Sequence, residues 1–223
     1  MSSAIYLVRH GESAFNAGKD YEEYMVPQTH GDQLIPLTEA GHAQARSRGE
    51  HIGADFINDA LVYRSPYRRT RETLAGVLEG AGVDPDAVRI HEDPRLRELE
   101  HGFEGGTDTV DAQDDLRELH SRFFYRYRGG ESPADCYDRV STFLESLMRQ
   151  MDRKQKSKAL IVSHGMTIRC FAMRFMHLDY ETFETLDNPK NCDLIRICRK
   201  EEITDPMFVS GRWALDGLRL RKN

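Results

Sequence analysis

No apolar run in the 223 residues approaches the length of about 18 needed to cross a bilayer, and no basic segment leads into a long apolar one at the N-terminus. A membrane span and a secretory leader are therefore not expected, and the chain reads as cytoplasmic. Cysteine is scarce. Cys136, Cys170, Cys192 and Cys198 form no C-x-x-C pair and meet no histidine at zinc-ligand spacing, so the expectation is buried free thiols, with no disulfide framework and no metal. Positive charge is not in excess: 31 Lys and Arg against 37 Asp and Glu leave a net charge of −6. That balance argues against nucleic acid as a partner, but a few arginines in one cleft can still attract a small anion. Repeats, low-complexity tracts and long linkers are also missing. With 39% hydrophobic and 30% charged residues, the chain can bury a core unaided, and it reads as one domain over residues 1–223. Nothing in it specifies an oligomeric state.

What is present alternates between apolar runs and helical patterns, which favours an α/β sandwich around a mostly parallel sheet. Strands are expected at residues 4–9, 60–63, 88–91, 158–163 and 194–198. The run Ala-Leu-Ile-Val inside Lys158–Ser163 suits a strand covered on both faces. Helices are expected from Thr38 to about Ile52, after Ser65-Pro66 (an N-cap followed by a proline at the first helical position), from Ser132-Pro133 through Met151, and from Ile168 to Met176. Leu116, Leu119, Phe123 and Tyr127 also lie at helical spacing. The polar segments at about 17–36 and 111–130 read as lids, where specificity would reside. The segment from Glu201 onward shows no clear pattern.

Three groups with chemistry fall where strands end. His10, flanked by Arg9 and Gly11, follows the first strand. Arg64 and the helix of Ser65–Thr73 follow the second. Ser163-His164-Gly165 repeats the order strand, histidine, glycine. Ligands of open parallel sheets bind beyond the carboxyl ends of strands, so these segments are expected to meet. A histidine fixed at its base beside arginine suits attack on a phosphoryl group. Metal binding by the two histidines is the competing use. It would need a third ligand, and the flanking arginines oppose a cation.

The segments Arg9-His10-Gly11-Glu12-Ser13 with Asn16, Ser65-Pro66 with Arg69 and Thr73, Leu96-Arg97-Glu98 with Gly102 and Glu104-Gly105, Gly130-Glu131-Ser132 and Ser163-His164-Gly165 resemble, in order, the motifs of the histidine phosphatase superfamily, the phosphoglycerate mutase-like proteins. The resemblance implies a three-layer α/β/α sandwich with no metal or organic cofactor and a small phosphorylated substrate. It implies His10 as the nucleophile that becomes phosphorylated, and Arg9, Arg69 and His164 around the phosphoryl oxygens. Glu98 would be the proton donor, Asn16 would touch the phosphate edge, and the amides after Gly165 would face the anion at a helix start. Thr70 stands where the family often has alanine, Phe103 fills the aromatic place before Glu-Gly, and the segment 17–36 lacks the Gly-Trp element typical of the mutases. The expected activity is phosphomonoester hydrolysis. A mutase is the alternative, with Arg122, Arg126 and Arg128 available for a second anionic group unless they are ion-paired on a helix. A phospholigand-binding domain without catalysis is a third reading.

Overall fold

Lys158–Ser163, buried at every position after Lys158, lies at the centre of the parallel part of a seven-stranded sheet. The computed structural model describes residues 3–18, 32–102 and 108–221, without the side chains of 108–112 and 114. Its strands are β1 (Ala4–Arg9), β2 (Ala60–Arg64), β3 (Ile90–Glu92), β4 (Lys158–Ser163), β5 (Leu186–Asp187), β6 (Leu194–Arg199), β7 (Phe208–Ser210), β8 (Trp213–Asp216) and β9 (Arg219–Leu220). Its helices are α1 (Glu39–Ile52), α2 (Ala54–Asp59), α3 (Arg68–Gly80), α4 (Asp108–His120), α5 (Pro133–Arg153), α6 (Gly165–Met176) and α7 (Tyr180–Thr185). The order in the large sheet is β3-β2-β4-β1-β6-β8-β7. The first four strands run parallel, with Ala4 opposite Lys158 and Arg9 opposite Ser163. The last three are antiparallel.

Alternation along β1 explains the layers, because successive side chains of a strand face opposite ways. Ile5 and Leu7 join a core with Phe143 and Leu147 of α5 and Ile168 and Phe171 of α6. Ala4 and Val8 join a second core with Ile57 of α2 and Leu74 and Val77 of α3. The sheet is thus covered on both faces, and the expected α/β/α sandwich is what the chain forms. All four cysteines are free and buried. Burial pushes the thiols of Cys192 and Cys198 up to about 12 and about 11, which keeps them unreactive. Among the described residues, no helix is long and apolar enough to cross a membrane.

Two local expectations are corrected. Ser65 does not cap α3, which starts at Arg68 with Tyr67 as its N-cap residue. The Ser65 hydroxyl instead accepts from the Tyr67 amide and bonds the ring of His164. The helix through Leu116 stops at His120, so Phe123 and Tyr127 are not on it. Ser121 Oγ accepts from the amides of Phe123 and Phe124, and Glu184 accepts from Phe123 as well. These side-chain acceptors replace the helical carbonyls. Ser132 and Asp135, by contrast, form the full capping box at the start of α5.

Candidate active site

β1 and β4 are adjacent and parallel, so the residues that follow them, His10 and His164, emerge together. Their ring centroids are 5.2 Å apart. The His10 amide donates to the Ser163 carbonyl at 3.0 Å, which locks the two strand ends in register. The turn after His10 packs against α1 so closely that a Cβ on Gly11 would lie 2.5 Å from the Gly41 carbonyl oxygen, and only glycine fits there. The Gly11 amide donates to Thr73 Oγ1 at 2.9 Å, and that hydroxyl donates to the Arg69 carbonyl at 2.6 Å. Arg69 is thereby tied to the turn that follows His10. Glu12 is engaged with the start of α1: its carboxylate and carbonyl accept from Thr38, and its amide donates to Gln44.

His10 is 3% exposed. Its Nδ1 lies 2.8 Å from the Gly11 carbonyl oxygen. A carbonyl only accepts, so Nδ1 carries the hydrogen and Nε2 of the neutral ring keeps its lone pair. Burial drives the His10 pKa well below 6.5, and the guanidinium groups of Arg69 and Arg9 push the same way. His164 is buried too, and burial, Arg69 and His10 lower its pKa strongly. Its Nε2 is 2.8 Å from Ser65 Oγ, while Nδ1 is buried without a hydrogen-bond partner among the described residues. If Ser65 Oγ–H donates to Nε2, the ring proton sits on Nδ1 as a donor awaiting an acceptor. Leaving such a group unmet costs about 1–3 kcal/mol, so the imidazole is suited to an anionic oxygen. Tyr67 flanks this ring edge-on at 5.0 Å and also carries the Arg69 guanidinium on its face at 4.9 Å. Burial pushes its hydroxyl up to about 12.

Two neutral imidazoles inside the fold have a measurable consequence. Below about pH 6.5 the unfolded chain binds protons that the native histidines refuse, so stability falls as pH drops through that value and is regained above it. The slope is up to about 1.4 kcal/mol per pH unit for each histidine. Urea midpoints should therefore decrease from pH 7.5 to 5.5, and less steeply in His164→Gln. A midpoint constant over that range contradicts the burial of two neutral rings.

Arg9 donates through Nη1 to the Pro189 carbonyl at 2.5 Å, and its Nε is buried without a partner among the described residues. Burial lowers its pKa, and the carboxylate of Glu98 acts against that shift. Arg69, only 4% exposed, forks onto Asp32: Nη1 reaches Oδ1 and Nη2 reaches Oδ2, each at 2.8 Å. A guanidinium–carboxylate fork has the geometry of a guanidinium–phosphate fork. Glu98 is half-buried, with Oε1 accepting from the Leu99 amide at 2.9 Å. Asn16 is exposed. Its Oδ1 accepts from the Ser13 amide and from Asn191 Nδ2, so the carboxamide oxygen serves the turn. Gly165 is the first residue of α6, with His164 as its N-cap.

The structure therefore brings Arg9, His10, Arg69 and His164 into one electrostatic cluster with Glu98 beside Arg9. Arg68 and Arg71 lie on the exposed face of α3, paired with Glu72 and Glu92. Phe103, Glu104-Gly105 and residues 19–31 of the first lid lie outside the described residues. Sequence reasoning missed Asp32, Tyr67 and the segment before β6. In that segment Asn191 Nδ2 and the Cys192 amide reach the His10 carbonyl, at 3.2 and 3.3 Å. No motif marks these residues, although the pair of asparagines around Pro189 is a turn signal. Among the described residues, no group of three or more His, Cys, Asp or Glu is placed to hold a metal ion.

Residues 5–205 match the family model described as histidine phosphatase superfamily (branch 1). A phosphoglycerate mutase-like protein of Arabidopsis thaliana, AT74H, is 38% identical over 206 residues, covering 85% of this chain and 71% of that protein. The broad-range acid phosphatase DET1 of Saccharomyces cerevisiae is 27% identical, covering 84% of this chain and 82% of its own. Among solved structures, a mycobacterial glucosyl-3-phosphoglycerate phosphatase superposes with a TM-score of 0.73 at 22% identity over 97% of this chain and 98% of that one.

Proposed function

The chain belongs to the histidine phosphatase superfamily, and from that premise we propose that it hydrolyses a phosphomonoester through a phosphohistidine on His10. The observation that carries this reading is the locked tautomer of His10: with Nδ1 donating to Gly11, Nε2 is an unprotonated nucleophile held among cationic groups. Phosphoryl transfer depends chiefly on positioning and charge stabilisation. Arg9 and Arg69 attract the substrate dianion and disfavour protonation of His10. The guanidinium of Arg69 receives the phosphate in place of the Asp32 carboxylate, and His164 Nδ1, the carboxamide of Asn16 and the amide end of α6 at Gly165 supply further donors. Attack by Nε2 forms the P–N bond as the ester P–O bond breaks, and the Glu98 carboxyl gives its proton to the leaving oxygen. The Glu98 carboxylate then takes a proton from water, whose oxygen attacks phosphorus and releases His10 and inorganic phosphate. General acid–base assistance of this type contributes about 10²–10⁴-fold.

Hydrolysis is preferred to phosphoglycerate interconversion on one observation. A mutase must grip an intermediate with more than one anionic group, and two of the arginines available for that are already paired, Arg122 with Glu118 and Arg126 with Asp135. The DET1 relative is a phosphatase, which supports the same choice. A coupled assay on a panel of phosphomonoesters, with and without bisphosphoglycerate, tests this. Release of inorganic phosphate without interconversion of phosphoglycerates is expected, and interconversion that depends on bisphosphoglycerate would overturn it.

A further inference from the structure

Arg139 lies on α5, outside the segments that carry the candidate site residues, yet its side chain is only 10% exposed. Its guanidinium is directed at the backbone that carries Glu98. Nη1 donates to the carbonyls of Arg95 at 2.6 Å and Arg97 at 3.0 Å, and Nη2 donates to the carbonyl of Glu98 at 3.1 Å. Nε and Nη2 also hold the Glu131 carboxylate, each at 3.1 Å. Glu131 in turn accepts from the Glu100 amide at 3.2 Å and pairs with Arg97. Two hydroxyls complete the set: Ser163 Oγ donates to the Leu96 carbonyl at 2.8 Å and Thr167 Oγ1 to the Arg97 carbonyl at 2.6 Å.

Four consecutive carbonyls, from Arg95 to Glu98, are thus each held by a side chain. Backbone outside regular structure must find such partners when buried. The identity of the partners is informative. Ser163 and Thr167 bracket His164 in sequence, and the Ser163 carbonyl is the acceptor that fixes His10. The same residues that place the two imidazoles therefore place the backbone of the proton donor. We infer that Arg139, clamped by Glu131, is a positioning residue that sets the reach of the Glu98 carboxyl to the leaving oxygen. The inference rests on Glu98 being the donor. A misplacement of about 1 Å in such a constellation can cost on the order of 10²-fold.

A positioning role is separable from a merely structural one by the leaving group. p-Nitrophenolate departs without a proton, whereas an alkoxide does not. In the full-length enzyme, Arg139→Lys removes the guanidinium fork, since an ammonium cannot bridge the same carbonyls, and Thr167→Val removes one clamp at nearly constant volume. Arg139→Lys should lower kcat on glycerol phosphate about tenfold or more while lowering kcat on p-nitrophenyl phosphate less than about threefold. Thr167→Val should show the same selectivity at smaller amplitude and reports even where the lysine variant folds poorly. Glu98→Gln is assayed beside them. If it is selective for the alkyl ester while the clamp variants slow both substrates equally, or slow neither, the clamp inference is overturned and the donor assignment stands. If Glu98→Gln slows both esters equally, the donor assignment fails and the inference with it.

Discussion

His10→Asn should lose turnover of every phosphomonoester by on the order of 10⁴–10⁶-fold, the scale seen when a nucleophile that works as part of a unit is removed. Asparagine retains a carboxamide that can still donate to the Gly11 carbonyl, the acceptor that His10 Nδ1 uses, so the turn is kept while the nucleophilic lone pair is lost. Phosphate affinity should survive, because Arg9, Arg69 and His164 remain, and the loss should appear in kcat with little change in the inhibition constant of inorganic phosphate. The variant should also resist acid better than the parent, since one of the two buried neutral histidines is gone and with it part of the proton uptake that favours unfolding below about pH 6.5. Steady-state kinetics and urea unfolding check both halves. Activity within tenfold of the parent would remove His10 from the nucleophile's role.

Arg69→Ala is expected to have the second-largest effect. The guanidinium is buried, offers two parallel N–H groups and already forks onto a carboxylate in this structure. Transferred to a phosphate, two charge-assisted bonds at about 1.5–3 kcal/mol each amount to about 3–6 kcal/mol, or a fall of about 10²–10⁴ in kcat/KM. Asp32→Asn should act in the opposite direction. The neutral amide leaves the fork readily, so KM and the inhibition constant of inorganic phosphate should drop several-fold with kcat nearly unchanged. If Asp32→Asn weakens phosphate binding as Arg69→Ala does, then Asp32 holds Arg69 in place and does not compete with the substrate.

Most of the parallel half of the fold was legible because β1, β2 and β4 carry apolar runs with Gly or Pro two residues beyond the strand, whereas β3, Ile-His-Glu, has no such run and begins two residues after the strand expected at 88–91. β1 and β4 occupy the residues the pattern marked, and Ser132-Pro133-Ala134-Asp135 predicted the start of α5 because a capping box is a purely local device. Of the antiparallel half, only β6 was legible, as the strand expected at 194–198. β7 and β8 are three and four residues long, too short for a periodicity to register, and their pairing depends on contacts distant in sequence. Ser65 misled for a related reason: its hydroxyl suits a helix cap, but His164, 99 residues away, engages it. At the site, Arg9, His10 and His164 stood out because a strand end and a glycine lie beside them, whereas Arg69 and Glu98 were marked only by the resemblance to the family's motifs. Asp32, Tyr67, Arg139 and Asn191 carry no local signature and take their meaning only from what folding places opposite them.

The most direct measurement is a rapid quench of the enzyme, mixed with labelled phenyl phosphate, into denaturing alkali, where a phosphoramidate survives while a phosphoester intermediate on serine or threonine would show the opposite lability. Label should reach the peptide containing His10 in approach to one per chain before steady state, be released by acid, and be missing from His10→Asn. Steady turnover with no base-stable label at any time, or label on a peptide other than that of His10, would contradict the account.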